Sequence, residues 1–200
     1  MPNITTLSQL DIQNGKYTYA DYLSWHFDQT VELIRGRIQR ISTPNRKHQR
    51  ISWQLTLAVG NFFKKHDCRA FAAPFDVRLP DQQKSKKVNK EIFTVVQPDI
   101  CIVCNTTKLD DKGCLGAPDL VVEILSPGNS VKEMKIKKNL YETAGIREYW
   151  IIDPEHENVF QFHLNEAMVY THATIYTSED VLHCVIFPDL HITLSEIFMD

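Results

Sequence analysis

Two apolar runs near the middle of the chain constrain its fold most strongly, because each of them carries one acidic residue. Residues 92–104 contain Asp99, and residues 120–125 contain Glu123. Continuous apolar runs rich in β-branched residues are typical of central strands that are covered on both faces. A carboxylate in such a strand costs free energy unless it is paired, hydrogen-bonded or bound to a metal ion. The two runs therefore predict a buried sheet with two acidic side chains that need partners.

Helices are predicted on either side of these strands in the sequence. Residues 45–66 place apolar side chains at helical spacing and carry Arg, Lys and His on the opposite face. The other predicted core elements are a strand over 70–79, a helix capped by Asn129 or Ser130 that runs to Thr143 and ends at Gly145, and a strand over 148–152. This order predicts an α/β fold with a mixed β-sheet flanked by helices.

The length of 200 residues fits one domain, or two small ones at most, and we expect one. We expect an N-terminal helix and β-hairpin over 1–44, a core over 45–153, and C-terminal strands with a helix over 154–200. The predicted outer elements are a short helix capped by Thr18 that runs through Tyr22 and Trp25, a hairpin over 31–42 that turns at Gly36, strands over 159–164, 168–174 and 181–186, and a helix near Leu194.

The composition is that of a soluble globular protein, with 43% hydrophobic and 24% charged residues. The sequence has no apolar run long enough to span a membrane, and its N-terminus lacks the regions of a secretory signal. We therefore expect a cytoplasmic protein without a membrane partner. The five cysteines are then expected to be reduced thiols.

Cys101 and Cys104 form a C-x-x-C pattern, which is typical of zinc or redox sites when it lies in a loop. Here the pattern lies in a predicted strand, where positions three residues apart point to opposite faces. One metal ion could not easily contact both side chains. We interpret these cysteines, together with Cys114 and Cys184, as small buried residues rather than zinc ligands.

The net charge of −3 hides a strong asymmetry along the chain. Residues 35–90 hold 14 of the 22 lysines and arginines against three aspartates, a balance of +11. Residues 142–200 hold one arginine against eleven acids, a balance of −10. Such asymmetry is typical either of a polyanion-binding face or of solvated surface charge without a partner, and the sequence leaves both open.

Asp99 and Glu123 are candidate ligands of one divalent cation if their strands are neighbours. Oxygen ligands completed by water suit Mg²⁺ or Mn²⁺. Such an ion lowers the pKa of a bound water and offsets charge on a phosphodiester. The alternative is that each carboxylate simply pairs with an arginine or a lysine.

Lys137 is the candidate lysine of this site, because it lies one helical turn before Tyr141 on the flank that Leu140 and Tyr141 bury. Its ammonium group would position the attacking water and stabilise developing negative charge. It could equally form a surface ion pair with Glu133, and Lys132, Lys135 and Lys138 compete for the same role.

Glu32 and His48 are weaker candidates. Glu32 is embedded among apolar residues and could be a further metal or water ligand, or the partner of an arginine. His48 begins the basic face of the 45–66 helix, beside Arg46 and Lys47. It could contact phosphate or the site, but an exposed histidine without a role is the simpler expectation.

These residues carry a family resemblance. The strings QPDICIV, GAPDLVVEILSP and K-x-x-x-Y-x-x-x-G-I-R-E-Y-W-I-I-D-P resemble the Uma family of proposed restriction endonucleases, which is assigned to the PD-(D/E)xK nuclease superfamily. The similarity extends to VELIRGRI, to PNRKHQRIS and to FPDLHITLSEIF, and so spans nearly the whole chain. It implies a restriction-endonuclease-like core, with Asp99 in the "PD" and Glu123 as the second acid.

One position departs from the superfamily pattern. The lysine expected two residues after Glu123 is Leu125, and the resemblance implies that Lys137 takes its place from the next helix. Glu32 matches the early acid of the family, and His48 matches its early helix histidine.

The resulting hypothesis is a Mg²⁺- or Mn²⁺-dependent DNA endonuclease, a homodimer whose basic segment, including Arg46 and Lys47, contacts the phosphate backbone. The alternatives are a DNA-binding protein that keeps the nuclease scaffold without activity, or a metal-dependent hydrolase of small phosphate esters.

Overall fold

The structure is a computed structural model that describes residues 4–81, 89–127 and 131–199. Its helices are α1 (Tyr19–Tyr22), α2 (Arg46–Phe63), α3 (Val131–Ala144) and α4 (Leu194–Phe198). Its strands are β1 (Val31–Ile34), β2 (Arg37–Arg40), β3 (Arg69–Ala72), β4 (Val77–Arg78), β5 (Val95–Val96), β6 (Ile100–Val103), β7 (Leu109–Asp110), β8 (Gly113–Leu115), β9 (Leu120–Ile124), β10 (Glu148–Asp153), β11 (Asn158–His163), β12 (Thr174–Thr177), β13 (Val181–His183) and β14 (His191–Thr193).

The chain divides into two compact units. The first comprises Met1–Ile41, Phe75–Gln97 and Lys108–Ala117, and the second comprises Ser42–Pro74, Pro98–Thr107 and Pro118–Asp200. That the whole chain behaves as the single domain expected from its length stays a prediction. No described helix has the apolar length that crossing a bilayer requires.

The first unit is built on a mixed sheet with the strand order β2–β1–β5–β4–β8–β7 over the described residues. Arg35 and Gly36 connect β1 to β2 and both have positive φ angles, 53° and 83°. Two such residues form the type I′ turn that matches the twist of a hairpin, so the predicted turn at Gly36 is confirmed. Thr18 caps α1 as predicted, and its backbone N–H donates to the Asp21 carboxylate at 2.8 Å.

The second unit is built on a mixed sheet with the order β12–β11–β10–β9–β6–β3 over the described residues. Strands β9 and β10 are parallel, and α3 connects them in the sequence. Helix α2 buries the stripe formed by His48, Ile51, Leu55, Val59 and Phe63. Spacing of three or four residues keeps these side chains on one face. The predicted α/β fold with a mixed sheet flanked by helices is therefore confirmed, although the described residues form two large mixed sheets where one was predicted.

The predicted strand over 70–79 is wrong, because it is interrupted at Pro74. Its first part is β3, in the second unit, and its last part is β4, in the first unit. Proline has no N–H to donate to a ladder, so strand pairing ends before it. Pro98 divides the predicted run 92–104 into β5 and β6 for the same reason.

The predicted strand over 168–174 is also wrong, since the strand in this region is β12, which begins at Thr174. Residues 165–169 form a turn in which the Asn165 side chain accepts hydrogen bonds from the backbone of Ala167 and Val169. Asn favours such turns because its side chain imitates a backbone turn. The predicted caps Asn129 and Ser130 lie outside the described residues, and Gly145, at φ 83°, follows the end of α3 as predicted.

Two glycines in contrasting surroundings give a test of this backbone. A Cβ atom on Gly113 would lie 2.2 Å from the Asp76 carbonyl oxygen, at a φ of +115°. A Cβ atom on Gly60, within α2, would meet nothing within 4 Å. We expect Gly113→Ala to lower the free energy of unfolding by about 2 kcal/mol or more, from steric overlap and strain. Gly60→Ala should raise it by up to about 1 kcal/mol, because alanine is the better helix former.

Urea denaturation followed by circular dichroism measures both variants. Equal stability of wild type and Gly113→Ala would contradict the described position of that glycine.

Candidate functional site

Asp99 and Glu123 lie opposite each other in the sheet of the second unit. The antiparallel register of β6 and β9 pairs Ile100 with Val122, which aligns Asp99, one residue before β6, with Glu123. Directly opposite residues share one face of a sheet, and their Cβ atoms lie about 5 Å apart. The backbone N–H of Ile124 donates to Asp99 Oδ2 at 2.7 Å, so the carboxylate of Asp99 reaches across to β9.

Lys137 and Tyr141 bind the Glu123 carboxylate from α3. Lys137 Nζ lies 2.8 Å from Glu123 Oε1, and the Tyr141 hydroxyl group donates to the same oxygen. The two residues are four positions apart and therefore lie on one face of the helix. The Glu123 side chain is only 12% exposed, so these donors offset the cost of its burial.

His48 contacts Asp99 from α2. Its Nε2 atom lies 3.4 Å from Asp99 Oδ1, and the Asn45 side chain caps the helix by accepting the His48 backbone N–H at 2.8 Å. Burial favours the neutral imidazole, but the hydrogen bond and negative charge of Asp99 outweigh it and raise the pKa of His48 above its ordinary value. The expectation of an exposed histidine is wrong, because His48 lies on the apolar face of α2 and is 7% exposed.

The neighbours of His48 point elsewhere. Arg46 is exposed at the start of α2, and Lys47 Nζ lies 3.3 Å from Glu157 Oε1.

Glu32 belongs to β1 of the first unit, where it is 2% exposed and accepts a hydrogen bond from the Gln97 backbone N–H at 2.9 Å. A role of Glu32 in catalysis stays a prediction.

Part of the positive charge of the basic segment 35–90 is buried or paired with acids of the same chain. Arg78 is 2% exposed and its guanidinium group binds Asp110 and lies over the Tyr19 ring. Arg69 is exposed and donates to the backbone carbonyls of His66 and Asp67, so it keeps its charge at the surface, whereas Lys47 is paired with Glu157. The sequence count of +11 therefore overstates the charge that this segment offers to a polyanion.

Two cysteines differ from the expectation of reduced thiols. Cys68 and Cys104 form a disulfide in the structure. The register of β3 and β6 pairs Arg69 with Val103, which brings the flanking positions 68 and 104 face to face. Cys101 is buried and not part of this bond. Among the residues that the structure describes, no group of three or more His, Cys, Asp or Glu is arranged to hold a metal ion.

Sequence reasoning missed Glu148, a carboxylate that is 0% exposed. It accepts hydrogen bonds from Trp150 Nε1 and Gln161 Nε2, both at 2.7 Å, and from the backbone N–H groups of Val185 and Ile186. The signal was available, because Glu148 begins an apolar strand just as Asp99 does. The same rule about buried carboxylates would have identified it.

The fold of this chain is similar to that of a solved nuclease-like protein. The structure of "a putative nuclease belonging to DUF820" from Anabaena variabilis ATCC 29413 matches with a TM-score of 0.69 at 21% identity. The match covers 91% of this chain and 97% of that chain. The fold class is thus that of a restriction-endonuclease-like protein, as the sequence predicted.

The chain also matches a family model over most of its length. The model of the Uma2 family, described as "Putative restriction endonuclease", matches residues 19–195, and the chain therefore belongs to that family. The chain is also similar to "Uncharacterized protein slr1290" of Synechocystis sp. (strain ATCC 27184 / PCC 6803 / Kazusa), with 23% identity over 154 residues. This match covers 76% of each chain. The resemblance noted from the motifs is confirmed, and family membership supports a nuclease function.

Proposed function

We propose that this protein is a divalent-metal-dependent endonuclease that hydrolyses phosphodiester bonds of DNA. The observation that carries the proposal is the alignment of Asp99 with Glu123 across β6 and β9, with Lys137 Nζ 2.8 Å from Glu123. Two carboxylates and one ammonium group are the side chains that metal-assisted phosphodiester hydrolysis uses. Because the DNA of a cell is the proposed substrate, we also propose a cytoplasmic location.

The donor set of this site fits a hard cation. Asp99 and Glu123 offer only carboxylate oxygens, which suit Mg²⁺ or Mn²⁺ rather than zinc. Two protein carboxylates are enough for Mg²⁺, which usually keeps several waters and binds substrate phosphate. When bound, such an ion lowers the pKa of a water molecule and offsets charge on the phosphate.

The residues around the carboxylates would hold them in place. The Ile124 amide and the His48 imidazole contact the two oxygens of Asp99, at 2.7 and 3.4 Å. Lys137 and Tyr141 both contact Oε1 of Glu123. Groups that are oriented before the substrate binds lose little free energy to reorganisation during the reaction. We propose that His48 and Tyr141 are positioning residues.

Lys137 is the proposed catalytic cation. An ammonium group beside Glu123 can orient the attacking water and stabilise the negative charge that develops on the phosphate. Water attacks phosphorus in line and loses a proton to solvent, the bond to the 3′ oxygen breaks, and that oxygen takes up a proton from solvent and leaves as a 3′-hydroxyl group, with the phosphate kept on the 5′ side. Lys137 thus supplies from α3 the charge that Leu125 cannot supply from the strand.

The exposed side chain of Arg46 and the half-buried one of Lys47 begin the same helix as His48. We propose that they contact the phosphate backbone of the bound DNA. Contacts of this kind position a protein on DNA without reading its sequence.

Removal of Asp99 tests the reaction itself. Asp99→Ala should abolish Mg²⁺- or Mn²⁺-dependent nicking of a supercoiled plasmid, because one of the two carboxylates is lost. Asp189→Ala, an exposed acid of the same unit, should nick at the wild-type rate. Persistent nicking by a clean preparation of Asp99→Ala would exclude the proposed mechanism. Salt-sensitive DNA retention by the wild type, without cleavage under any divalent cation, would instead favour the inactive nuclease scaffold.

A pair of lysine variants tests the choice of cation. Lys137→Met should slow nicking by about 10²-fold or more, as the loss of one charge-stabilising donor does in other active sites. Lys135→Met, on the exposed face of α3, should leave the rate unchanged. Equal losses in both variants would show that α3 acts through general positive charge rather than through Lys137.

We also propose a homodimer, since nucleases that cut both strands often pair two sites, and two-fold dimers are the commonest oligomers. Two large apolar side chains on the outer face of α2 support it, Trp53 at 64% and Leu57 at 43% exposure. Light scattering should therefore give twice the monomer mass for the wild type and the monomer mass for Trp53→Glu. The control Ile175→Glu, at a similarly exposed position, should remain dimeric. A wild-type monomer at high concentration would contradict the proposal.

A further inference from the structure

Two histidines face each other on the exposed side of the hairpin formed by β13 and β14. The antiparallel register pairs His183 with His191 and Leu182 with Ile192. Leu182 and Ile192 are buried, with exposures of 0% and 3%. Because successive side chains of a strand alternate between faces, both histidines are directed outward, and both are exposed.

The hydrogen bonding of the hairpin makes this pair a close one. The Cys184 N–H donates to the Leu190 carbonyl and the Leu194 N–H donates to the Asp180 carbonyl, so 184/190 and 180/194 are the hydrogen-bonding positions of the ladder. The next pair along the ladder, His183 and His191, is then of the non-hydrogen-bonded kind, in which side chains approach most closely. Their Nδ1 atoms are 2.7 Å apart, and their ring centroids are 4.6 Å apart with the rings at 70° to each other.

We propose that His183 and His191 form a bidentate binding site for a late first-row divalent metal ion such as Cu²⁺, Ni²⁺ or Zn²⁺. Metal–imidazole bonds of about 2.0–2.1 Å place two nitrogens about 3.3 Å apart at a tetrahedral angle and about 2.9 Å apart at a square angle, which is the geometry that this pair fits better. The observed 2.7 Å is within a few tenths of an ångström of that separation. At a short N···N contact one Nδ1 carries the proton. Transfer of that proton to Nε2 of the same ring frees both lone pairs for the ion.

The chemistry of this pair differs from that of Asp99 and Glu123. Neutral imidazole suits copper, nickel and zinc, whereas carboxylate oxygens suit magnesium and manganese. Since no described cluster of three or more ligating residues includes the pair, water or a donor of another molecule would complete the coordination. The site is therefore independent of the proposed nuclease reaction, and its ion should exchange readily.

The hairpin holds the pair in place before any metal arrives. The Gln161 side chain donates to the His183 carbonyl at 2.7 Å and to the buried Glu148 at 2.7 Å. This bridge ties β13 to β11 of the main sheet. A preformed chelate binds more tightly than two mobile side chains, since less conformational entropy is lost on binding.

Isothermal titration calorimetry of the full chain, without a polyhistidine tag, tests the site with metal chloride alone. We expect Ni²⁺, Zn²⁺ or Cu²⁺ to bind at this pair in addition to any ion held by Asp99 and Glu123, with Cu²⁺ bound most tightly and with saturating Mg²⁺ leaving this binding unchanged. His183→Ala and His191→Ala should each weaken binding by roughly 100-fold, because each leaves one imidazole where two acted together. The electron paramagnetic resonance spectrum of bound Cu²⁺ should show coupling to two nitrogens in the wild type.

His156→Ala is the matched control. His156 is also exposed, and its Nδ1 lies 2.8 Å from Asp153 Oδ2 in a different turn. It is therefore another surface histidine that could bind the added metal ion. This variant should bind metal as the wild type does. Unchanged binding in the double variant of His183 and His191, or a comparable loss in His156→Ala, would overturn the proposal, as would a wild type that binds none of the three ions. Because both histidines are exposed, circular dichroism should show that their variants remain folded.

Discussion

The antiparallel pairing of β6 with β9 is the interaction on which the candidate site depends. It aligns a carboxylate at the start of one strand with a carboxylate inside the other, at the centre of a buried sheet. Neither acid is tolerable there without donors, and the donors come from three elements. The Ile124 amide belongs to the strand, His48 to α2, and Lys137 with Tyr141 to α3. The cost of burying the two acids thus fixes where the two helices place their polar side chains.

The position of Lys137 shows how a helix can take over the role of a strand residue. In an extended chain the residue two places after Glu123 would share its face, and there, just after the end of β9, the chain has Leu125. The ammonium group reaches Glu123 from α3 instead, one turn before Tyr141. A sequence pattern that requires a fixed spacing would miss such a lysine, although the arrangement of charges around the carboxylate is the same.

Much of the fold could be predicted from the sequence, because apolar periodicity depends on local spacing. Helix α2, the hairpin at Gly36 and the two acidic strands follow from such patterns. The errors arose where a single residue changes the course of the chain. Pro74 ends a strand that looks continuous, and Asn165 forms a turn where alternating residues predicted a strand.

The candidate site could be predicted only in part. Asp99 and Glu123 were identifiable because a charge in an apolar run is costly wherever it lies. The burial of His48 was missed because its neighbours Arg46 and Lys47 make that turn look wholly exposed, although its spacing from Ile51 and Leu55 places it on the apolar face. The pairing of Cys68 with Cys104, 36 residues apart, depends on the register between β3 and β6, which local sequence does not encode.

Glu148 has a consequence for how this sequence can vary over evolution. Its carboxylate accepts from the side chains of Trp150 and Gln161 and from the backbone of the segment after β13. The Trp150 ring and the two backbone amides can only donate, whereas the Gln161 amide donates here through Nε2 and accepts from Tyr176 through Oε1. An apolar replacement at 148 would therefore leave several buried N–H groups without a partner at once. Positions 148, 150 and 161 are coupled in this way, so we expect substitutions at these three positions to occur together.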